Sequence, residues 1–299
     1  MDIQQILNST FAVNLAFFIG RIIPPKIGYP ICDSVGEWIA SQRDSKVTQA
    51  VRVNQWVARG ANLEKRELDH VIRETLRNNA RDLYTLYHYI QDPNEMQRMI
   101  SIDRKARRWI ERPEFADRGV IIVGLHLSNF DFVLQSLCRH GFKPMILTIP
   151  NPRGGRRVEY EIRKKTGMNL IPISVNTLRQ AVEHLEQGGM VLAGADHPVL
   201  NPKYHPRFFG RAASLPTHYI SLALKAHVPV VIMTAIQHKD GTYRVLSSEP
   251  VEMEHVSDRR REILCNAERI LEQAEDFIRL APQQWNVPWP IWPELLENM

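Results

Sequence analysis

The sequence lacks the cysteines that a disulfide framework or a zinc site would need. Cys32, Cys138 and Cys265 are the three cysteines among 299 residues, and no two of them form a CxxC pair. Disulfide-rich secreted domains and structural zinc sites both use more cysteines at closer spacings. We therefore predict free thiols and a reducing, cytoplasmic setting.

Several common catalytic signatures are also missing. The chain has no GxSxG, which weighs against a serine hydrolase, and no Walker A loop, GxGxxG fingerprint or HExxH motif. We therefore expect no bound nucleotide, no metal and no resident cofactor.

The N-terminal apolar stretch is too short to cross a bilayer comfortably. Residues 11–23 are interrupted by Asn14 and Arg21, whereas a transmembrane helix needs about 20 apolar residues. No basic residue precedes the stretch and no clean cleavage signal follows it, so it does not resemble a secretory signal. Two interpretations stay open: a helix at the membrane interface, with Arg21 and Lys26 near the head groups, or a core helix ended by Pro24-Pro25.

What the sequence does contain is enough apolar material for a sizeable core, with 44% hydrophobic residues and no repeat or low-complexity linker. A net charge of +5 favours anionic partners such as nucleic acid, acidic lipid surfaces or phosphorylated substrates. We predict one domain over residues 1–299. Within it, residues 1–30 hold the possible interface helix, residues 31–112 a helical portion and residues 113–299 an α/β core.

Apolar residues between positions 47 and 90 recur at helical spacing until Asp92-Pro93 breaks the pattern. The aromatic stripe of Tyr84, Tyr87 and Tyr89 in this portion is typical of a core, although it could also line an acyl groove.

Strands and helices alternate after this portion. Apolar runs at residues 120–123, 143–149, 170–173, 190–195 and 228–233 predict buried strands, with helical patterns between them. Residues 243–246 and 251–253 alternate like an antiparallel edge pair near the Asp240-Gly241 turn. A last helix spans about 258–280. The fold class is therefore α/β: a mainly parallel, mixed sheet covered by helices, with a helical N-terminal portion.

Two of these strands end in polar residues. His126 and Asp131 follow the strand at 120–123, with Asp131 in the first turn of the next helix. A carboxylate that accepts a hydrogen bond from one ring nitrogen would leave the other nitrogen free as a base. The HxxxxD spacing alone is weak, because the helix dipole also favours Asp in a first turn. Asp196-His197 stands at the end of the strand at 190–195, and this pairing of strand ends predicts a cleft.

The turn after the strand at 143–149 is basic. Arg156 and Arg157 follow Gly154-Gly155, and Arg163 lies in the helix beyond. Backbone amides and guanidinium groups at such a turn can bind a phosphate or carboxylate, although a solvated basic loop would look the same.

The order of these motifs is more specific than any one of them. Residues 119–137 (GVIIVGLHLSNFDFVLQSL), Asp196-His197-Pro198, residues 207–210 (RFFG) and Leu215-Pro216-Thr217 follow one another. Over roughly residues 50–290 the chain resembles the lysophospholipid acyltransferase superfamily, and most closely the late acyltransferases of lipid A biosynthesis and the phosphatidylinositol mannoside acyltransferases.

The resemblance implies a site. It makes His126 the base and Asp131 its partner, and it matches Arg163 and, less closely, Arg156 and Arg157 to the substrate site. Asp196 becomes the matching strand-end carboxylate, and Phe208, Phe209 and Gly210 would lie by the acyl chain or acceptor. The chain departs from the pattern at Pro198, where many relatives carry a second acid. Its tail keeps the terminal motif at residues 282–285, and Trp285, Trp289 and Trp292 could lie at a membrane interface or pack over the core.

The resemblance also implies a function: an O-acyltransferase at the cytoplasmic face of the inner membrane, peripheral or monotopic. It would move a fatty acyl group from acyl carrier protein or acyl-CoA to a lipid or glycolipid hydroxyl, without a nucleic acid partner. Two alternatives stay open: a thioester hydrolase that uses the same dyad on water, and a non-catalytic membrane-binding protein that keeps the fold.

Overall fold

The structure, a computed structural model, describes residues 9–111 and 118–298. The α-helices in this part are α1 (Thr10–Ile22), α2 (Pro25–Ser41), α3 (Lys46–Ala58), α4 (Lys65–Tyr89), α5 (Pro93–Arg98), α6 (Arg104–Glu111), α7 (Phe130–Arg139), α8 (Gly155–Lys165), α9 (Val175–Glu186), α10 (His218–Ala226) and α11 (Arg259–Leu280). The strands are β1 (Ile100–Ile102), β2 (Val120–Gly124), β3 (Met145–Thr148), β4 (Asn169–Pro172), β5 (Met190–Gly194), β6 (Arg207–Phe208), β7 (Arg211–Ala212), β8 (Val230–Gln237) and β9 (Tyr243–Ser247).

Seven strands form one sheet in the order β1-β9-β8-β2-β5-β3-β4. All neighbours in it run parallel except β8 and β9, which form an antiparallel pair. The predicted fold class, a mainly parallel mixed sheet, is confirmed. Strands β6 and β7 form a separate two-stranded hairpin.

Strand β2 is central because both of its faces are covered. Ile121 and Val123 point into a core shared with α3, α9, α10 and α11. Val120 and Ile122 point to the opposite face and meet α7 and the C-terminal end of α4. When the side chains of a strand point alternately to two buried faces, every residue of the strand is apolar, as residues 120–123 are.

The helical N-terminal portion is also confirmed, and it has a small core of its own between α2, α3 and α4. Close packing here depends on Gly36, because a Cβ at that position would lie 2.6 Å from the Cα of Arg77. Arg81 adds two hydrogen bonds to Asp33 across the same contact. Within the two described ranges, no helix has both the length and the apolar character to span a membrane.

The sequence-based strand predictions were wrong at one edge of the sheet. Strand β1 lies inside the portion predicted to be helical, and it pairs in parallel with β9. The antiparallel partner of β9 is β8, whereas residues 251–253 contribute only a bridge from Val251 to Val230. Short edge strands of three residues carry too little periodicity to be recognised. The predicted boundary at residues 112–113 lies outside the described residues.

The ambiguous aromatic residues mostly belong to the core. Tyr84 and Tyr87 are buried, and so are Trp285 and Trp292, while Trp289 is partly buried. The interpretation of these tryptophans as core residues is therefore the right one for Trp285 and Trp292.

The C-terminal segment, residues 282–292, is held by two buried polar side chains of α3. The amide of Gln55 donates to the carbonyls of Pro282 and Trp285, each at 2.8 Å. The amide of Asn54 donates to the carbonyls of Val287 and Trp289, and its oxygen accepts from the backbone of residue 291. Buried amides without such partners would be costly, so this match fixes the path of the segment.

Gln55→Ala should lower the free energy of unfolding by about 2 kcal/mol, because it removes two hydrogen bonds to backbone carbonyls, one of them buried. Urea denaturation followed by circular dichroism measures this change. Gln49→Ala, on the same helix but with no side-chain hydrogen bond of this kind, is the control and should change stability by less than about 0.5 kcal/mol. Equal unfolding midpoints for the two variants would contradict the assigned role of Gln55.

Candidate active site

The site forms where β2 and β5 end side by side. The two strands pair in parallel with Gly124 opposite Gly194. His126 lies two residues beyond Gly124, and Asp196 lies two residues beyond Gly194. Because the two glycines are paired, the side chains of His126 and Asp196 meet at the carboxyl edge of the sheet. The Nδ1 atom of His126 lies 2.7 Å from Oδ1 of Asp196.

Asp196 is completely buried, and its carboxylate accepts hydrogen bonds from three donors. Besides the His126 ring, these are the His126 backbone N–H and the Trp285 indole N–H, each 2.8 Å from Oδ2. Burial raises the pKa of Asp196, but the His126 charge and the three hydrogen bonds outweigh burial and hold the pKa below its ordinary value. The carboxylate is therefore ionised at neutral pH.

The acid fixes the tautomer of the histidine. An ionised carboxylate only accepts hydrogen bonds, so Nδ1 of His126 carries the proton and Nε2 is left with its lone pair. The His126 side chain is 24% exposed, and its ring contacts Phe130 and His197. Burial, followed by the charge that His126 carries when protonated, lowers the pKa of His197, so His197 is uncharged near neutral pH.

The predicted hydrogen bond between Asp131 and His126 is wrong. Asp131 lies in the first turn of α7, and its two carboxylate oxygens accept three hydrogen bonds from Arg163 of α8, at 2.9–3.0 Å. In the sequence, Asp131 is the acid nearer to His126. In the structure, its side chain points towards α8, and the acid that contacts His126 is Asp196, at the end of the neighbouring strand. The catalytic role of Asp131 and the substrate-site role of Asp196 stay predictions.

A second acid lies close to this ion pair. Burial raises the pKa of Glu159, and the positive charge of Arg163 only partly opposes this effect. For Arg163 itself, burial lowers the pKa. The charges of Asp131 and Glu159 raise the pKa by more than burial lowers it, so the guanidinium stays charged. Arg163 thus links α8 to the start of α7 through a partly buried, bidentate pair.

The loop that carries His126 is fixed from its other side by the C-terminal segment. Ser128 donates its backbone N–H to the carbonyl of Gln284, and Asn286 donates to the carbonyl of His126. Ser128 has a φ of 53°, a left-handed conformation that is uncommon outside glycine. Asn129 then caps α7 by accepting from the backbone of Phe132. The histidine is therefore presented by a rigid turn.

The arginines of the glycine turn separate. Arg156 lies 4.4 Å above the ring centre of Trp289, which in turn contacts His197. Arg163 is two helical turns further along the same face of α8. Arg157 is rotated by about 100° from Arg156 around the axis of α8, and it lines a cavity on another side of this helix. The structure thus brings Arg156 and Arg163 to the His126 side of α8 and places Arg157 on another side.

The segment at Phe208, Phe209 and Gly210 forms the β6–β7 hairpin. Phe209 and Gly210 have φ values of 49° and 73°, which makes a tight turn of the mirror-image type. Phe208 is fully buried and stacks on Trp292 at 5.8 Å between ring centres. In this structure Phe208 supports the C-terminal segment, and its predicted contact with an acyl chain or acceptor stays a prediction.

Sequence reasoning missed the function of Trp285 as a hydrogen-bond donor. The residue was considered only as an interface or core side chain, yet its indole holds Asp196. The available signal was the similarity of residues 282–285 to the terminal motif of the resembling family. In the part of the chain that the structure describes, no group of His, Cys, Asp and Glu side chains could hold a metal ion.

Together, the fold and the site define an α/β protein that holds a histidine, hydrogen-bonded to a buried carboxylate, at the carboxyl edge of its sheet. The chain belongs to the bacterial lipid A biosynthesis acyltransferase family, whose sequence model matches residues 4–291. This membership confirms the resemblance seen in the sequence and identifies the protein as an acyltransferase. A comparison with curated proteins gave no match.

Asp131→Asn and Arg163→Met should each destabilise the protein by about 2 kcal/mol, because each leaves a partly buried polar partner unpaired. The double variant should lose clearly less than the sum of the two. Thermal and urea unfolding of all four proteins measure the coupling.

The control is the same comparison of single and double variants for Glu95→Gln and Arg98→Met. These two residues form an exposed ion pair one helical turn apart, with 3.2 Å between Nη1 of Arg98 and Oε2 of Glu95. Its coupling should stay below about 0.5 kcal/mol. Additive losses at Asp131 and Arg163 would mean that the bidentate pair does not stabilise the fold.

Proposed function

We propose that the protein transfers a fatty acyl group from an acyl thioester to a hydroxyl group of a lipid or glycolipid, with His126 as the general base. The observation that carries this proposal is the buried Asp196 carboxylate, which accepts a hydrogen bond from Nδ1–H of His126 and leaves Nε2 free to take a proton. Family membership supplies the acyl chemistry. No resident metal or cofactor takes part in the proposed reaction.

In the proposed reaction, Nε2 of His126 removes the proton of the acceptor hydroxyl while the oxygen attacks the thioester carbonyl carbon. Asp196 stabilises the imidazolium that forms. The tetrahedral intermediate then collapses, the carbon–sulfur bond breaks and the proton passes from Nε2 to the leaving thiolate. An ester and a free thiol result, and no covalent intermediate with the protein is needed.

Asp131 acts through Arg163 in this proposal, as a positioning residue. Arg163 and Arg156 lie on the same face of α8, and both are cations close to the His126 turn. Such groups suit the phosphate or the developing negative charge of a substrate. The donor would be acyl carrier protein or acyl-CoA.

His126→Ala and Asp196→Asn should each reduce acyl transfer by about 1,000-fold or more, because one removes the base and the other removes the fixed tautomer. Combining them should cost little more than the larger single loss, since the two residues act as a unit. The measurement is thiol release from long-chain acyl thioesters with total membrane lipid as acceptor, together with isolation of the acylated lipid.

His70→Ala, an exposed histidine on α4, is the matched control and should keep full activity. Circular dichroism must show that the inactive variants are folded. Thiol release without any acylated lipid would indicate a hydrolase, and folded variants as active as the wild type would rule out the proposed base.

We further propose that α1 and α2 place the protein on the cytoplasmic face of the inner membrane. Large apolar side chains stand exposed along one stripe of each helix, and Phe11 is the most exposed of them, at 76%. A soluble surface rarely carries such a continuous apolar strip, whereas an interfacial helix requires one. The residues are Phe11, Leu15, Phe18, Ile19 and Ile22 on α1, and Ile27, Ile31, Val35 and Trp38 on α2.

Phe11→Ser with Phe18→Ser should weaken binding to lipid vesicles by about 100-fold, because two aromatic side chains no longer enter the bilayer. Vesicle co-sedimentation measures the change. Val175→Ser with Leu280→Ser removes two exposed apolar side chains elsewhere and should leave binding unchanged. Equal binding by both double variants would contradict a membrane role for α1.

A further inference from the structure

A large cavity lies on the side of α8 that faces away from His126. Its volume is about 1280 Å³, and it opens between α1, α8 and the junction of α4 with α5. The residues of α8 that line it belong to a different face from Arg156 and Arg163. The helix therefore separates this cavity from the candidate active site.

The cavity is strongly cationic. Its lining contains five basic side chains, Arg21, Arg139, Arg153, Arg157 and Lys165, but only one acidic side chain, Glu161. Among the described residues, no carboxylate forms an ion pair with any of these five. Cations gathered around one concave space repel one another, so the arrangement favours an anionic occupant.

The donors in the cavity suit a phosphate group. Arg139 lies partly buried and donates to the carbonyl of Ile90 at 2.6 Å, which leaves the rest of its guanidinium for a ligand. Arg153 and Arg157 flank the start of α8, where no side chain caps the helix and the Arg157 N–H donates to the carbonyl of Gly154. Guanidinium forks beside open amides bind phosphate oxygens well.

The position of the cavity on α1 indicates where the phosphate comes from. Residues 10, 14, 17 and 21 of α1 line the cavity, and the next residues, Phe11, Leu15, Phe18 and Ile22, form the exposed apolar stripe. Successive residues of a helix are rotated by about 100°, so the two stripes adjoin. A helix that buries the apolar stripe in acyl chains would hold the cavity at the level of the head groups.

We propose that this cavity binds the head group of an anionic phospholipid in the membrane, an inference that rests on the proposed membrane function. The lipid is an anchor, and the substrate binds elsewhere. Its phosphate is bound by Arg153, Arg157 and Lys165, while its acyl chains lie beside α1. Binding fixes the rotation of α1 about its axis, and with it the orientation of the His126 cleft towards the bilayer.

The test compares vesicles of phosphatidylcholine alone with vesicles that also contain phosphatidylglycerol. The triple variant Arg153→Gln, Arg157→Gln, Lys165→Gln should bind the anionic vesicles about 100-fold more weakly than wild type, since each basic group near such a surface contributes roughly fivefold. Binding of both proteins to neutral vesicles should be equal.

A charge-matched control separates a site from general attraction. Arg179→Gln, Arg260→Gln, Arg261→Gln removes three exposed cations from helices on the opposite face of the sheet. These cations lie far from the apolar stripe, and charges beyond roughly 10 Å are screened, so this variant should lose less than about threefold. Equal losses in the two triple variants would overturn the proposal.

Three further outcomes would also overturn it. Wild type could bind neutral and anionic vesicles equally well. Inorganic phosphate could bind wild type but not the first triple variant while both proteins bind the anionic vesicles equally, which would indicate a free phosphate ligand. The first triple variant could lose acyl transfer in neutral detergent micelles, which would place a substrate or an acidic carrier protein in the cavity.

Vesicle binding needs no turnover, so it tests the cavity even if the protein proves inactive. Wild type that binds neither kind of vesicle would refute both this proposal and the membrane role of α1. Selective binding that requires Arg153, Arg157 and Lys165, in a protein without acyl transfer, would support the cavity and refute only the proposed catalysis.

Discussion

The structure depends on keeping one negative charge, the Asp196 carboxylate, completely buried. Such a charge is tolerated only when donors surround it. The three donors come from two distant parts of the chain, the loop after β2 and the C-terminal segment. The same hydrogen bonds that make the charge tolerable therefore also orient the histidine and hold the two parts together.

The requirement extends outward from the carboxylate. The amides of Asn54 and Gln55 hold the backbone of the C-terminal segment and so help to place Trp285 where its indole donates to Asp196. The segment in turn pairs with the His126 loop at Leu127. The helical N-terminal portion is thus more than a cover for the sheet, since α3 supplies the contacts that determine where the tryptophan lies.

Local sequence patterns predicted most of the architecture. An apolar run before a polar turn indicated β2 and placed His126 at its end, and the same pattern placed Asp196 at the end of β5. The partner of His126 was not predictable in this way, because it depends on the register between strands 70 residues apart. Asp131 fits the HxxxxD spacing and therefore looked like the partner of His126 in the sequence. The position of α8 in the structure shows that Asp131 binds Arg163 instead. The edge strand β1 is too short to have a detectable period.

The path of the C-terminal segment also determines when the hydrogen bonds around Asp196 can be completed during synthesis. A ribosome releases Asp196 before Trp285, because the two residues lie 89 positions apart in the sequence. The carboxylate and the loop of His126 thus leave the ribosome while the carboxylate still lacks one of its three donors. The buried charge is therefore fully paired only after the C-terminal segment has been made, so the last support of the His126 loop comes from a part of the chain that is synthesised after it.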